Sequence, residues 1–414
     1  MKAVGLITEY NPFHNGHAYH IARAKEVTGA DTVVVVMSGN FIQRGEPAIL
    51  DKWTRANLAL QNGVDVVIEL PFFYAVQPSH LFARGAVQLL AAMGIEDIVF
   101  GAEHSDVDWL DLARKAPQAD KLGDAQVKDK SQTFASAYAQ ELEAQTGFVL
   151  SDPNDILALG YATAVLELDL AEKVTLHAIA REQAEYHDKD IDDTKQIASA
   201  SAVRLALHKG KWAKIEHVVP AQTFKALQEK PNTTNFEDKF WALLRYRLLT
   251  DTVGQIGGTY QMAEGLEHRL TAMTLGEPGP QSLQSYIKAV KSKRYTYARI
   301  QRTLLYTLLN IKVDQMQAAM ADPYLRLLGF SSQGQAWLNA NKKAFTLPLI
   351  SRMDVGLAKA NLRLDYKAGK IWQMLAEGDK VPAQDISRVP LFVEREISAP
   401  KGDQSDEMGE STVK

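Results

Sequence analysis

Residues 32–37 read Thr-Val-Val-Val-Val-Met, a run with no alternation of polar and apolar side chains. Such a β-branched run has no solvent face. It fits a strand covered on both sides, as in a parallel sheet flanked by helices. The neighbouring segments supply the rest of that pattern. Residues 3–7 form a short apolar run and residues 15–26 have helical spacing. Residues 51–62 read as a helix closed by Gly63, and residues 64–70 as a strand stopped by Pro71. A helix over 79–93 capped by Gly94, a strand at 98–100, a helix at 154–168, a strand at 173–179 and a helix at 199–209 continue the series. Strands alternating with helices imply an α/β fold with a doubly wound parallel sheet, its ligands at the carboxyl ends of the strands.

The pattern changes beyond Pro220 and the polar stretch 228–234. Residues 236–250, 282–290, 297–311 and 334–341 are all helical in period, with one late strand over 389–392. The expected organisation is a nucleotide-binding domain over 1–220, a mostly helical domain over 221–399 and a polar, disordered tail over 400–414. The chain of 414 residues has no cysteine, which excludes disulfides, thiolate catalysis and Cys-ligated zinc. A net charge of −4 neither requires nor excludes nucleic acid, because a basic patch can be local. No apolar run approaches the ~18 residues of a membrane span, and the first residues carry no secretory signal. A cytoplasmic protein without a membrane partner is expected; the oligomeric state is left open.

The first strand runs into Asn11-Pro12-Phe13-His14-Asn15-Gly16-His17. Pro12 stiffens the turn. His14 and His17, three apart at a helix start, share a face, and Gly16 between them lets a phosphate approach the backbone. The helix N-terminus adds free N–H groups and partial positive charge. Two imidazoles there can donate hydrogen bonds to phosphate oxygens and stabilise charge as the α-phosphorus is attacked, which makes His14 and His17 the expected catalytic pair. An isolated His-x-x-His more often caps a helix or binds metal. The strand, proline turn and intervening glycine favour phosphate here, and no third ligand of clear spacing suggests zinc. A second element, Ser199-Ala200-Ser201-Ala202-Val203-Arg204, opens a later helix. Ser199 and Ser201 offer hydroxyls for the β- and γ-phosphates, and Arg204 a cation for departing pyrophosphate. On its own it reads equally as a serine cap and a solvated arginine.

Together these elements resemble the HIGH-type nucleotidyltransferase superfamily. His14-Asn15-Gly16-His17 matches its histidine motif, and the run from Ala198 to Arg204 matches its Ile-Ser-Ser-Thr-x-Ile-Arg motif with Ala200 in place of one serine. The strings Ile7 to His17, Met37 to Pro47, Val67 to Pro71, Phe100 to Glu103, Ser151 to Asn154 and Lys293 to Thr296 are similar to the bacterial tRNA(Met) cytidine acetate ligase family. The resemblance implies ATP contacts from Ile7, Thr8, Glu9, Tyr10, Asn11, Pro12, Phe13, His14, Asn15, Gly16, His17 and His20, and from Gly101, Asn154 and Arg181. It implies acetyl-adenylate formation from acetate and ATP, then acetyl transfer to N4 of the wobble cytidine of elongator tRNA(Met). Magnesium is expected with ATP, without identifiable protein ligands.

Residues 280–313 hold no Asp or Glu. Lys291, Lys293, Arg294, Arg299 and Arg302, with Tyr295 interleaved, suit an RNA loop, the cations for phosphates and the ring for a base. A solvated basic helix is the plain alternative. The loop from Ser38 to Gly45 reads as a flexible lid, Arg55 as a solvated cation, and Glu69 as a buried carboxylate needing a partner. Rival functions are a small-molecule adenylyltransferase acting on a phosphorylated metabolite, and an RNA-binding protein with an inactive nucleotide fold.

Overall fold

A computed structural model describes residues 1–117, 134–181, 191–192, 194–229, 236–277, 279–376 and 381–395; the tail expected at 400–414 lies outside them. Among the described residues are the strands β1 (Ala3–Thr8), β2 (Thr32–Ser38), β3 (Val66–Leu70), β4 (Asp97–Ala102), β5 (Thr175–Ala180), β6 (Leu325–Ser331), β7 (Leu349–Ile350) and β8 (Leu391–Val393). They form one sheet in the order β5-β4-β1-β2-β3-β6, with β7 and β8 both paired to β6. The first five are mutually parallel and β6 runs antiparallel to β3. β1 thus lies between β2 and β4, so the strand order reverses beside it, and the crevice at that point is where such sheets bind ligands.

Every residue of β2 is buried, as its composition requires. Val33, Val35 and Met37 enter one core with Phe13, Ile21, Trp53 and Val203; Val34 and Val36 enter the other with Phe82, Leu90 and Phe240. Burying each such side chain stabilises the fold by about 1.5–3 kcal/mol before entropy is counted. On the first face lie the helices α1 (Asn15–Thr28), α2 (Lys52–Gln61) and α5 (Ala200–His208); on the second, α3 (Ser79–Ala92) and α4 (Pro153–Glu167). The later helices α6 (Phe236–Thr250), α7 (Leu283–Val290), α8 (Tyr297–Leu308) and α10 (Arg363–Leu375) share that second core, while α9 (Ser332–Asn341) packs on β2 and β6.

The division expected at residue 220 is therefore crossed twice: β6 to β8 complete the sheet, and the later helices continue one core with it. Leu325, Arg326, Leu327 and Leu328 are all buried, the arginine included, so this stretch shows no polar–apolar alternation that would mark a strand in sequence. No helix among the described residues is long and apolar enough to cross a membrane.

Candidate active site

The loop after β1 enters α1 through a left-handed Tyr10 (φ 48°) and a cis Asn11–Pro12 bond. Tyr10 and Phe13 are buried core side chains, with ring centroids 4.7 and 5.5 Å from His17 respectively. Both pack against the His17 ring.

His14 is the N-cap of α1. Its Nδ1 accepts the Gly16 amide proton at 3.1 Å, and His17 Nδ1 accepts the His14 amide proton at 3.2 Å. A backbone N–H can only donate, so both Nδ1 atoms are unprotonated acceptors and both neutral rings carry their proton on Nε2. The ring centroids stand 3.8 Å apart. Burial, then Arg181 and Arg204, push His14 down to about 3. Burial, followed by its histidine neighbours, drives His17 well below its ordinary value. Burial lowers His20 to about 4 against a hydrogen bond to Val99. The pair therefore presents two neutral N–H donors at a helix N-terminus.

The surrounding residues lock this arrangement. Asn15 spends its amide on the carbonyls of Gln196 (2.9 Å) and His217 (3.0 Å), tying α1 to the chain around α5. A Cβ at Gly16 would meet the His14 ring at 2.9 Å, so the missing side chain makes room for the capping imidazole. Ser199 is the N-cap of α5, accepting from Ala202 at 3.1 Å. The Arg204 guanidinium donates to the carbonyl of Asn11 at 2.9 Å and to Ser201 at 3.2 Å, so it is a bridge between the two motif elements and not a solvated cation. Glu9, raised by burial, accepts from Gln43 at 2.8 Å; Asn11 Oδ1 accepts from Ile49 at 2.9 Å. Ile7 pairs with Val36 across the sheet, and Thr8 is buried at the end of β1.

Arg55 corrects the expectation of a solvated cation. It is wholly buried and donates to the carbonyls of Glu9, Ser38, Gly39 and Leu50, holding the loops after β1 and β2 side by side. Glu69 has its partner in Lys52, whose Nζ meets both carboxylate oxygens at 2.8 Å and Asp385 at 2.6 Å. The loop expected to be a flexible lid is anchored by a Phe41–Pro47 bridge, by Asn40 to Gln384 at 3.0 Å, and by Gly45 packed on Arg302.

On the other side of β1, Gly101 lies in β4 opposite Ile179 of β5, beneath the aliphatic part of Arg181. Asn154 donates to Glu103 at 2.6 Å, and Asp155 accepts from the Glu103 and His104 amides and contacts the His104 ring at 2.6 Å. Glu103, His104 and Asp155 were not singled out as a unit by sequence; a Glu-His pair just past a strand and an Asn-Asp pair opening a helix are the signal that marks them. His104, Asp152 and Asp155 have ligand atoms within 4.8 Å of one another. Asp155, however, already holds two amides and a ring, so the trio closes the start of α4.

The basic stretch divides. Lys291, Lys293 and Arg294 are exposed in the turn between α7 and α8. Tyr295 is buried, its hydroxyl donating to the Glu264 carbonyl at 2.6 Å, and cannot stack on a base. Arg299 is ion-paired with Glu264 at 3.0 Å, and Arg302 is buried beneath Gly45. The helical period of α8 turns Arg302 inward, while Tyr295 is buried in the turn just before that helix.

A doubly wound sheet with an imidazole-capped helix at its reversal point defines a nucleotidyltransferase, and residues 1–386 match the HIGH Nucleotidyl Transferase family model: the chain belongs to that family. It is 66% identical over 391 residues to the tRNA(Met) cytidine acetate ligase of Leuconostoc citreum, spanning 94% of this chain and 97% of that one. It is 46% identical to the protein of the same name from Oenococcus oeni, over 94% of this chain and all of that one. Among solved structures, apo Thermotoga maritima TmcAL superposes with a TM-score of 0.84 at 30% identity, covering 95% of this chain and 100% of that chain. The same protein bound with alpha-thio ATP gives 0.82 at 29% identity, with the same coverage.

Proposed function

We propose that this chain is an ATP-dependent ligase that activates acetate as acetyl-adenylate and transfers the acetyl group to N4 of the wobble cytidine of elongator tRNA(Met). The observation that carries the reading is the reciprocal cap of His14 and His17, which leaves two Nε2–H donors at the reversal point of the sheet beside Arg204. As an acetate oxygen attacks the α-phosphorus of ATP, charge grows on the phosphate oxygens. Fixed neutral donors and a helix N-terminus stabilise it without having to reorganise. Arg204 and Ser201 stand ready for the departing pyrophosphate, and Arg181 for the nucleotide near Gly101 and Asn154. Magnesium would enter on the nucleotide's own phosphates, screening their charge. The exposed Lys291, Lys293 and Arg294 suit the phosphates of an anticodon loop. The bacterial relatives and a tRNA substrate support a cytoplasmic setting. Full-length similarity to ligases of this name favours this reading over a small-molecule adenylyltransferase.

The test is incubation with ATP, labelled acetate and total bacterial tRNA, followed by digestion to nucleosides. Label is expected in one modified cytidine. Acetate-independent exchange of pyrophosphate into ATP, or label only in a small phosphorylated metabolite, would overturn the reading.

A further inference from the structure

A cleft of about 290 Å³ opens beside the phosphate loop, between helix α5 with the loop after β2 and helices α6 to α8. Asn11 and Arg204 form one wall, Glu46 a second, Tyr297 and Gln301 of α8 a third, and Phe240 contributes to an apolar lining. Of these lining residues the mechanism above uses only Arg204.

Its position relative to the sheet is informative. Gly101 and Arg181 belong to β4 and the end of β5, on one side of β1. Glu46 follows β2, on the other side. Asn11 and Arg204, joined at 2.9 Å, form the wall of the cleft on the side of the histidine turn. A group bound in the cleft would lie beside the Asn11–Arg204 contact, and Asn11 belongs to the turn that carries the histidines.

Its chemistry suits one kind of group. Gln301 is only 3% exposed, and its amide makes no side-chain hydrogen bond among the described residues. Gln301 lines the cleft, where its amide can pair with the polar edge of a ligand. Glu46 is half-buried and forms no ion pair among the described residues. Gly45, at φ +84°, sits against the backbone of Gln301 and Arg302, where a Cβ would come within 3.0 Å. This close approach fixes Glu46 beside the Gln301 turn of α8. The half-buried Tyr297 ring lies at the first turn of the same helix, just after the exposed Lys293 and Arg294.

We infer that this cleft receives an unstacked cytosine base, an assignment that rests on the function proposed above. Cytosine offers donor hydrogens at N4 and acceptors at N3 and O2. The Glu46 carboxylate accepts from N4, the Gln301 amide donates to the acceptor edge, and Tyr297 covers the ring. Uracil would turn O4 toward the carboxylate and be repelled, which gives selectivity for cytosine. In the transfer step the N4 lone pair attacks the acetyl carbonyl carbon and a C–N bond forms. The C–O bond to the adenylate phosphate breaks, its electron pair leaves on AMP, and the N4 proton passes to Glu46.

The test separates the two half-reactions in the full-length enzyme. Acetate-dependent pyrophosphate exchange reports adenylation; single-turnover transfer from preformed acetyl-adenylate to tRNA reports the cleft. Glu46→Gln is expected to slow transfer by about 10²-fold and to leave exchange within about twofold of wild type. Glu46→Asp should recover part of the transfer rate. Gln301→Leu should raise the KM for tRNA by about 10-fold. Wild-type transfer in Glu46→Gln, or equal losses of exchange and transfer, overturns the cleft assignment. Absence of acetate-dependent exchange in the wild type defeats the proposed function instead, so the two failures are distinguishable.

Discussion

A side chain at residue 16 would place its Cβ 2.9 Å from Cε1 of His14, inside contact distance of the ring that caps the same helix. The glycine and the histidine are thus one device. Gly16→Ala must displace the imidazole, because Ile197 blocks the other direction at 3.2 Å. Acetate-dependent pyrophosphate exchange is expected to fall by about 10²-fold, on the scale of losing one preorganised donor. The melting temperature should move by only a few degrees, about 1–2 kcal/mol of lost capping. Unimpaired exchange in a folded variant would separate the cap from the chemistry.

The buried histidines set a pH signature. His14 is held at about 3 and His20 at about 4, against an ordinary value of 6.5, chiefly by burial. Both are neutral in the folded protein when the unfolded chain begins to take up protons. Their contribution to stability is complete above about 6.5 and is lost as the pH falls through that value toward 4 and then 3. Thermal melts across this window should show the decline, and His20→Phe should flatten part of it. The exchange rate should show no histidine titration between about pH 6 and 9, since the donors are neutral throughout.

Lys52 is 1% exposed and holds Glu69 and Asp385 from opposite ends of the chain. Removing it leaves two carboxylates buried without their cation. Lys52→Ala is expected to destabilise the protein by about 3–5 kcal/mol, read from denaturant unfolding. A change within experimental scatter would mean that the network does not join the late segment to the sheet.

Arg204 reaches Asn11 and Ser201 with separate nitrogens. A lysine cannot span both, so Arg204→Lys should cost about 10²-fold in exchange while leaving the fold intact. Full activity in that variant would show that only its charge matters.

The turn carrying Lys293 and Arg294 is exposed, whereas Tyr295 is buried. Lys293→Ala with Arg294→Ala should weaken tRNA binding and lower the slope of log K against log salt by roughly 2, with exchange unaffected. Tyr295→Ala should instead lower stability, by about 3–5 kcal/mol. Equal salt slopes for wild type and the double variant would remove the turn from the RNA surface.

The parts legible in sequence were those determined locally. The run at residues 32–37 has one sensible fate, and a proline turn followed by His14-Asn15-Gly16-His17 announces a helix start whatever surrounds it. Arg55, Tyr295 and Arg302 were misread because their burial comes from remote partners: the loop carbonyls after β1 and β2, the carbonyl of Glu264, and the backbone of Gly45. A charged residue looks solvated in sequence until the group that buries it is known. The role of Gly16 was half legible: its lack of a side chain mattered, but the nearest beneficiary is His14. The strands β6 to β8 escaped as sheet partners because an antiparallel strand arriving from residue 325 leaves no local sign of which edge it will join.

The most direct measurement is a crystal structure of this chain with a non-hydrolysable ATP analogue. The account predicts phosphate oxygens within about 3 Å of the Nε2 atoms of His14 and His17, with the rings in their present orientation. A triphosphate bound away from the first turn of α1, or histidines turned so that Nδ1 faces the phosphates, would contradict it.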